Sequence, residues 1–286
     1  MWILFAFLSA FFAGITSVLA KCGIKKTDST VATAIRTIVV LLMSVIMVVI
    51  AGSFDTIKAI SAKSWIFLIL SGISTGASWL CYFKALQTGD INKVVPIDKS
   101  STVLTIILAF IFLGEEITPV KAVCILLISA GTLMMIEKKR NESNTAKNGS
   151  WMLFAVLSAI FAALTSILGK VGIEDIESNL GTAIRTAVVL IMAWIMIFVS
   201  KKSNEISKVS KKELVFICLS GIATGASWLC YYKALQNGNA SAVVPIDKLS
   251  IVITILFSYI VFKEKLSKKS AIGLVFIISG TLGMLL

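Results

Sequence analysis

The chain contains nearly the same sequence twice. Residues 2–135 align with residues 151–284 without a gap, each position displaced by 149, and roughly half of the aligned residues are identical. The longest shared stretch reads TGASWLCYFKALQTG from Thr75 and TGASWLCYYKALQNG from Thr224, and VVPIDK follows at Val94 and again at Val243. A unit of this length is too long for a solenoid repeat.

The repeat is also apolar. Hydrophobic residues make up 57% of the chain, charged residues 15%, and the mean hydropathy is +0.95. Soluble domains average about half apolar and a quarter charged, so the composition implies an integral membrane protein; the expected fold is all-α and multi-pass, and the expected location is the cell (plasma or inner) membrane. A helix needs about 20 apolar residues to cross the hydrocarbon. The alternating ten-residue strands of a membrane barrel do not occur. The formal charge of +12 sits in short lysine runs between apolar stretches, where lipid headgroups rather than nucleic acid are the expected partner. Five cysteines and no histidine offer no metal spacing and no cofactor site, and no nucleophile–base set marks an enzyme. The apolar start ending at Ala20 has no basic leader region and recurs internally at Trp151–Lys170, so it is expected to be a retained helix.

Charge-bounded apolar runs predict ten transmembrane helices, at 2–20, 31–51, 65–86, 94–113 and 120–136, then 151–169, 180–199, 214–235, 243–262 and 271–286. The first repeat is placed at 1–136, a polar linker at 137–150, and the second repeat at 151–286. Five spans is an odd number, so the second repeat enters the membrane inverted. The lysines agree. In the first repeat the loops after spans one, three and five hold nine basic residues, and those after spans two and four hold Lys58, Lys63 and Lys121. In the second repeat the bias reverses, which places the basic loops of both repeats on one membrane face. The positive-inside rule assigns that face to the cytoplasm and both termini to the outside.

Two of the three prolines, Pro96 and Pro245, occupy equivalent places ahead of Asp98-Lys99 and Asp247-Lys248. On one reading, proline opens a helix and the acid favours its N-terminal dipole. On the other, ionisable groups within a span serve transport. Arg36 and Arg185 lie inside their second spans, and each is expected to pair with the aspartate of its own repeat or to snorkel. With Glu115 and Glu264 these residues form mixed-charge layers near both faces, read as gates; proton or ion coupling would fall to the acids. Gly72 and Gly76, with Gly221 and Gly225, form GxxxG motifs that allow close helix approach. Thr75, Trp79 and Tyr82 follow at helical spacing, and Ser101 and Thr105 share a face with Asp98 in the fourth span. Their counterparts are Thr224, Trp228, Tyr231, Ser250 and Thr254. This stripe is read as a substrate-binding cavity; hydroxyls bonding helix to helix are the alternative.

Two five-span repeats, with a Gly/Glu turn after the fourth span (LGEEIT at Leu113) and a glycine-containing fifth span, resemble EamA-type members of the drug/metabolite transporter superfamily. The resemblance implies a ten-helix inverted-repeat fold, a central cavity, and export or exchange of a small metabolite by alternating access. It also implies cytoplasmic termini, opposite to the loop charges. The VVPIDK segment is more charged than the family's usual apolar run there. The resulting expectation is a secondary transporter of an amino-acid-like or anionic, amphipathic solute, monomeric or homodimeric. The alternatives are a lipid-carrier flippase and a non-transporting membrane scaffold subunit.

Overall fold

The computed structural model describes residues 1–23, 26–88, 97, 100–135, 150–262 and 267–285. Among them the secondary structure is helical, without strands. The first repeat supplies α1 (Trp2–Gly23), α2 (Ser29–Ile50), α3 (Ala62–Thr88), α4 (Ser101–Leu113) and α5 (Pro119–Met135). The second supplies α6 (Ser150–Gly172), α7 (Ser178–Val199), α8 (Lys211–Asn237), α9 (Ala240–Lys248), α10 (Ser250–Phe262) and α11 (Lys268–Gly283). Among the described residues seven spans are long and apolar enough to cross a membrane, α9 and α10 together making one of them; α4 and α5 are apolar but shorter.

Helix starts follow from local chemistry. Asp28 accepts from the N–H groups of Thr30 and Val31 to start α2, and Glu177, its repeat equivalent, accepts from Asn179 and Leu180 to start α7. Ser210 caps the head of α8: its hydroxyl oxygen accepts from the Glu213 N–H at 3.3 Å and the hydroxyl donates to the Glu213 carboxylate at 3.1 Å. Each cap satisfies N–H donors that a helix start leaves without intrahelical partners.

Burial is distributed as a lipid solvent requires. Leu42, Ile46 and Val49 of α2 and Val215, Leu219 and Ile222 of α8 face outward, whereas Ser9, Ser44, Ser71, Ser158, Thr182 and Thr186 are buried. Lipid tails are as apolar as leucine, so outward Leu and Ile cost nothing there, while small and hydroxylated residues let helices approach and bond. The protein is a multi-pass integral membrane protein.

The chain divides into two compact units. The first comprises Met1–Ile73, Leu168–Gly238 and Ser250–Glu264; the second comprises Ser74–Ile167, Asn239–Leu249 and Lys265–Leu286. In the first unit α1 runs antiparallel along α8: Ser227 Oγ donates to the Ser9 carbonyl at 3.1 Å, Thr224 bonds Thr16 at 3.4 Å, and a Cβ on Gly23 would lie 2.9 Å from Ile217. Helices α2 and α7, the second of each repeat, also pack together, Val48 near the end of α2 clustering with Leu180 and Ala183 near the start of α7. The second unit holds the repeat-equivalent bonds, Ser78 Oγ to the Ser158 carbonyl at 3.1 Å and Thr75 to Thr165 at 3.3 Å.

The same unit contains the most direct sign of inversion. Helices α5 and α11 are the fifth helices of the two repeats, and they pack against each other in opposite directions. A Cβ on Gly131 would meet the Gly273 carbonyl at 2.5 Å, and one on Gly280 would meet the Cys124 carbonyl at 2.9 Å. The displacement of 149 carries Cys124 onto Gly273 and Gly131 onto Gly280, so each contact maps onto the other. That is a local twofold axis. The most extensive helix contacts join helices of different repeats, so the two copies interlock.

One expected span is corrected. Residues 243–262 were expected to form one helix opened by Pro245. Instead, the helix starts at Ala240, carries Pro245 as its sixth residue, stops at Lys248, and resumes as α10 at Ser250. Proline within a helix removes a backbone donor and crowds the carbonyl four residues back, here that of Ser241, whereas the interruption falls at Leu249, a single turn residue that keeps right-handed helical angles (φ −64°, ψ −10°).

Candidate functional site

Two equivalent arginines have different surroundings in the first unit. Arg185 lies on α7 where α3 crosses it, an approach made possible by Gly72, whose Cβ would meet the Arg185 carbonyl at 2.9 Å and Val188 at 2.6 Å. Its side chain is 1% exposed. Nε donates to Ser71 Oγ at 3.3 Å, and the guanidinium carbon sits 5.0 Å from the Trp228 ring and 4.5 Å from the Tyr232 ring. Cation–π contact of this kind strengthens when desolvated.

Arg36 occupies the same place on α2. Gly221 of α8 crosses it, where a Cβ would meet the Arg36 carbonyl at 3.1 Å and Val39 at 2.7 Å; a Cβ on Gly225 would meet Met43 at 3.0 Å. Arg36 borders a cavity of about 70 Å³ lined also by Ala20, Ser29, Ala32, Thr33, Ile217 and Ser220. Ser220 is the repeat equivalent of Ser71, yet its hydroxyl donates to the Ile217 carbonyl at 2.8 Å. Among the described residues, no carboxylate or hydrogen-bond acceptor reaches the Arg36 guanidinium.

The expected charge layers are distributed as follows. Asp98, Lys99 and Glu264 lie outside the described residues, as do Pro96 and all of the linker except Ser150, which opens α6. Asp247 and Lys248 are half-buried at the end of α9, eighth and ninth of its nine residues. The helix-start account of Asp247 is therefore corrected: the helix starts at Ala240, two turns earlier, so the carboxylate is not in its first turn. Asp247 and Arg185 belong to different units. Glu115 is 8% exposed, and its two oxygens accept from the N–H groups of Ala240 at 2.6 Å and Ser241 at 2.9 Å. It caps α9. Gly114, left-handed at φ +65°, ends α4 and turns the chain so that Glu115 can reach.

The aromatic and hydroxyl stripe separates into two groups. Thr75 and Thr224 are buried and bond across helices, and Thr105 is buried with its hydroxyl on the Ser101 carbonyl. Thr254 bonds the Gly14 carbonyl of α1 at 3.4 Å and the Ser250 carbonyl at 2.9 Å. Trp79, Tyr82, Ser101, Trp228, Tyr231 and Ser250 are half-buried. Tyr82, like Trp151 and Phe154, packs against the Ala85 and Ala155 cluster, and Tyr231 meets Tyr232 edge-on at 5.2 Å. A second cavity, about 90 Å³, lies between α4 and α5; Ser100, Thr102, Val103, Ser129 and Thr132 are among its lining, and Ser101 and Thr105 are not.

Sequence reasoning passed over Ser71, Ser220 and Tyr232. The first two precede the first glycine of each GxxxG motif, and Tyr232 stands opposite Phe83 in the repeat alignment. That mismatch is the readable signal. It also passed over the loop pairs. Lys202 bonds Asp28 at 2.8 Å, and Lys63 bonds Glu174 at 3.2 Å; each joins loops that inversion assigns to one face. Burial works against the Asp28 carboxylate, but bonds from Lys202, Thr30 and Val31 outweigh it and hold its pKa below the ordinary value. Glu213 accepts from the Lys26 N–H at 2.8 Å and from the Thr27 hydroxyl at 3.0 Å.

Known proteins supply the remaining comparison. Residues 1–137 and 149–286 each match the EamA-like transporter family. An uncharacterized transporter of a Sinorhizobium species is 42% identical over 133 residues, 46% of this chain and 94% of that protein, a length close to one repeat. A protein of Rickettsia bellii named S-adenosylmethionine uptake transporter is 27% identical over 217 residues, covering 75% of this chain and 70% of its own. One solved crystal structure superposes with a TM-score of 0.80 at 14% identity, covering 99% of this chain and 95% of that one, a likeness of fold. Two copies of the family's unit, inverted and interlocked within one membrane-embedded chain, place this protein in the EamA-like transporter family.

Proposed function

We propose that the protein is a secondary transporter of the plasma membrane that moves a small amino-acid-like or anionic, amphipathic metabolite by alternating access, as an exporter or exchanger. The observation that carries this reading is the unequal state of two equivalent arginines. Arg185 is sealed by Ser71, Trp228 and Tyr232, while Arg36 borders a cavity. In an inverted repeat, exchanging the two local arrangements would exchange which membrane face is open.

In this reading Arg36, Asp98, Lys99, Glu115, Arg185, Asp247, Lys248 and Glu264 form the gating and coupling layers. The half-buried Trp79, Tyr82, Ser101, Trp228, Tyr231 and Ser250 meet the solute. Thr75, Thr105, Thr224 and Thr254 hold the helices that present them. Relatives named as S-adenosylmethionine uptake transporters support an amino-acid-like class and make that compound a natural first probe.

The test is a ligand-stabilisation screen of the purified protein across amino acids, S-adenosylmethionine, nucleosides and organic anions, followed by flux of the hit in proteoliposomes. Arg36→Gln and Arg185→Gln should each lower flux at least about tenfold, a transition-state difference of about 1.4 kcal/mol. Unchanged flux in both variants rejects the gate. Loss of ligand stabilisation in both Asp98→Asn and Asp247→Asn would join the solute to the carboxylates.

A further inference from the structure

We infer that the cavity beside Arg36 is an oxyanion subsite that receives the carboxylate of the transported solute. The inference rests on the transport reading and adds to it the chemical group recognised and the residues that recognise it. Ser29, Ala32, Thr33 and Arg36 fall at positions i, i+3, i+4 and i+7 of α2, one helix face, and all four line the cavity. Ile217 and Ser220 close it from α8, and Ala20 from α1. Arg36 is seven residues inside its helix, about 10 Å along the axis at 1.5 Å per residue.

A guanidinium at that depth cannot escape its charge, because arginine does not deprotonate in proteins. It must be solvated by water or matched by an anion, and leaving it unmatched is costly. The equivalent Arg185 is matched internally by two rings and a serine. Arg36 has no such partner among the described residues, and its space remains open.

The nearby acids do not fill that role. Asp28 is taken by Lys202 and by the start of α2, and Glu213 by Lys26, Thr27 and Ser210. The cavity volume of about 70 Å³ is well above the roughly 10–15 Å³ that a single water needs on that measure. That is room for a carboxylate head. A planar guanidinium matches a carboxylate with two parallel hydrogen bonds, and the hydroxyls of Ser29 and Thr33 supply further donors on the same helix face.

The experiment uses acetate, the head group alone, with acetamide as its uncharged counterpart. Binding is read by saturation-transfer NMR on the full-length protein in phosphatidylcholine nanodiscs. Acetate should bind and acetamide should not. Arg36→Gln should weaken acetate at least about tenfold, and so should Thr33→Leu, which keeps the charge but fills the cavity. Lys58→Met, an exposed loop lysine removed as a charge control, should bind as the parent does. Acetate binding that survives Arg36→Gln or Thr33→Leu overturns the proposal. A lipid phosphate could offer the same chemistry, so the measurement is repeated in nanodiscs containing phosphatidylglycerol. Undiminished acetate binding there supports a soluble carboxylate; complete displacement overturns that assignment in favour of the headgroup. The two readings fail separately. Flux that survives Arg36→Gln removes the subsite and leaves transport standing, whereas Arg36-dependent acetate binding in a protein that moves no solute does the reverse.

Discussion

Removing the Glu115 carboxylate should release the start of α9, and the size of the effect can be worked out from its two bonds. Ala240 is 0% and Ser241 1% exposed, and their N–H groups reach the Glu115 oxygens at 2.6 and 2.9 Å. A hydrogen bond to a charged group contributes about 1.5–3 kcal/mol, and a buried donor left without an acceptor costs about 1–3 kcal/mol. The two bonds share one carboxylate and do not add fully. Glu115→Ala should therefore destabilise the protein by about 3–4 kcal/mol. Glu115→Gln keeps one acceptor oxygen but turns a donor toward the other N–H, so it should cost about 1–2 kcal/mol by the same reasoning. Gly114→Ala strains a residue held at φ +65° and should cost about 1 kcal/mol. Equilibrium unfolding in detergent ranks the three variants. Amide hydrogen exchange at residues 240 and 241 gives the local readout, expected to quicken at least about tenfold in Glu115→Ala as the start of α9 opens. An alanine variant within about 0.5 kcal/mol of the parent, the range of an ordinary surface change, would refute the capping argument. So would a glutamine variant as damaged as the alanine, because acceptor count would then not be the cause.

Gly131→Ala and Gly273→Ala each place a Cβ within 2.6 Å of a facing backbone carbonyl, so each should cost about 1–3 kcal/mol as an overpacked contact, measured by the same unfolding assay. Asp28→Ala should cost about 1–2 kcal/mol at neutral pH through the lost cap. The pKa of Asp28 is lowered in the folded state, so its stabilisation is present above the unfolded value near 4. It is lost as pH falls through the lower folded value, and the gap between parent and variant should narrow below about pH 4. For orientation, Ser203→Cys and Lys58→Cys in a background without native cysteines test the loop charges. An impermeant thiol reagent applied to intact cells should label position 58 and spare position 203; the opposite pattern would place the termini inside.

The split of the ninth span and the role of Glu115 show where sequence reasoning reached its limit. The GxxxG glycines announced close approach, and Gly72 and Gly221 do admit α7 and α2. VVPIDK looked like the opening of a span, because proline and an acid both suit a helix start. What moved the start back to Ala240 was an acceptor from the turn after α4, 125 residues earlier in the chain. A local pattern carries no trace of such a partner. Arg36 and Arg185 were visible as charges within apolar spans, but their difference was not, because it depends on which neighbour turns toward each.

The sequence alone determined the membrane class, the duplication and the inversion, since each rests on hydropathy, identity at a fixed displacement, or the count of spans and lysines. Tertiary packing decided which helices of one copy lie against which of the other, where the ninth span divides, and that one arginine is enclosed by rings while its twin borders open space. Those outcomes turn on contacts between residues far apart in the chain, where a carbonyl, a ring or a missing Cβ selects between arrangements that the local sequence permits equally.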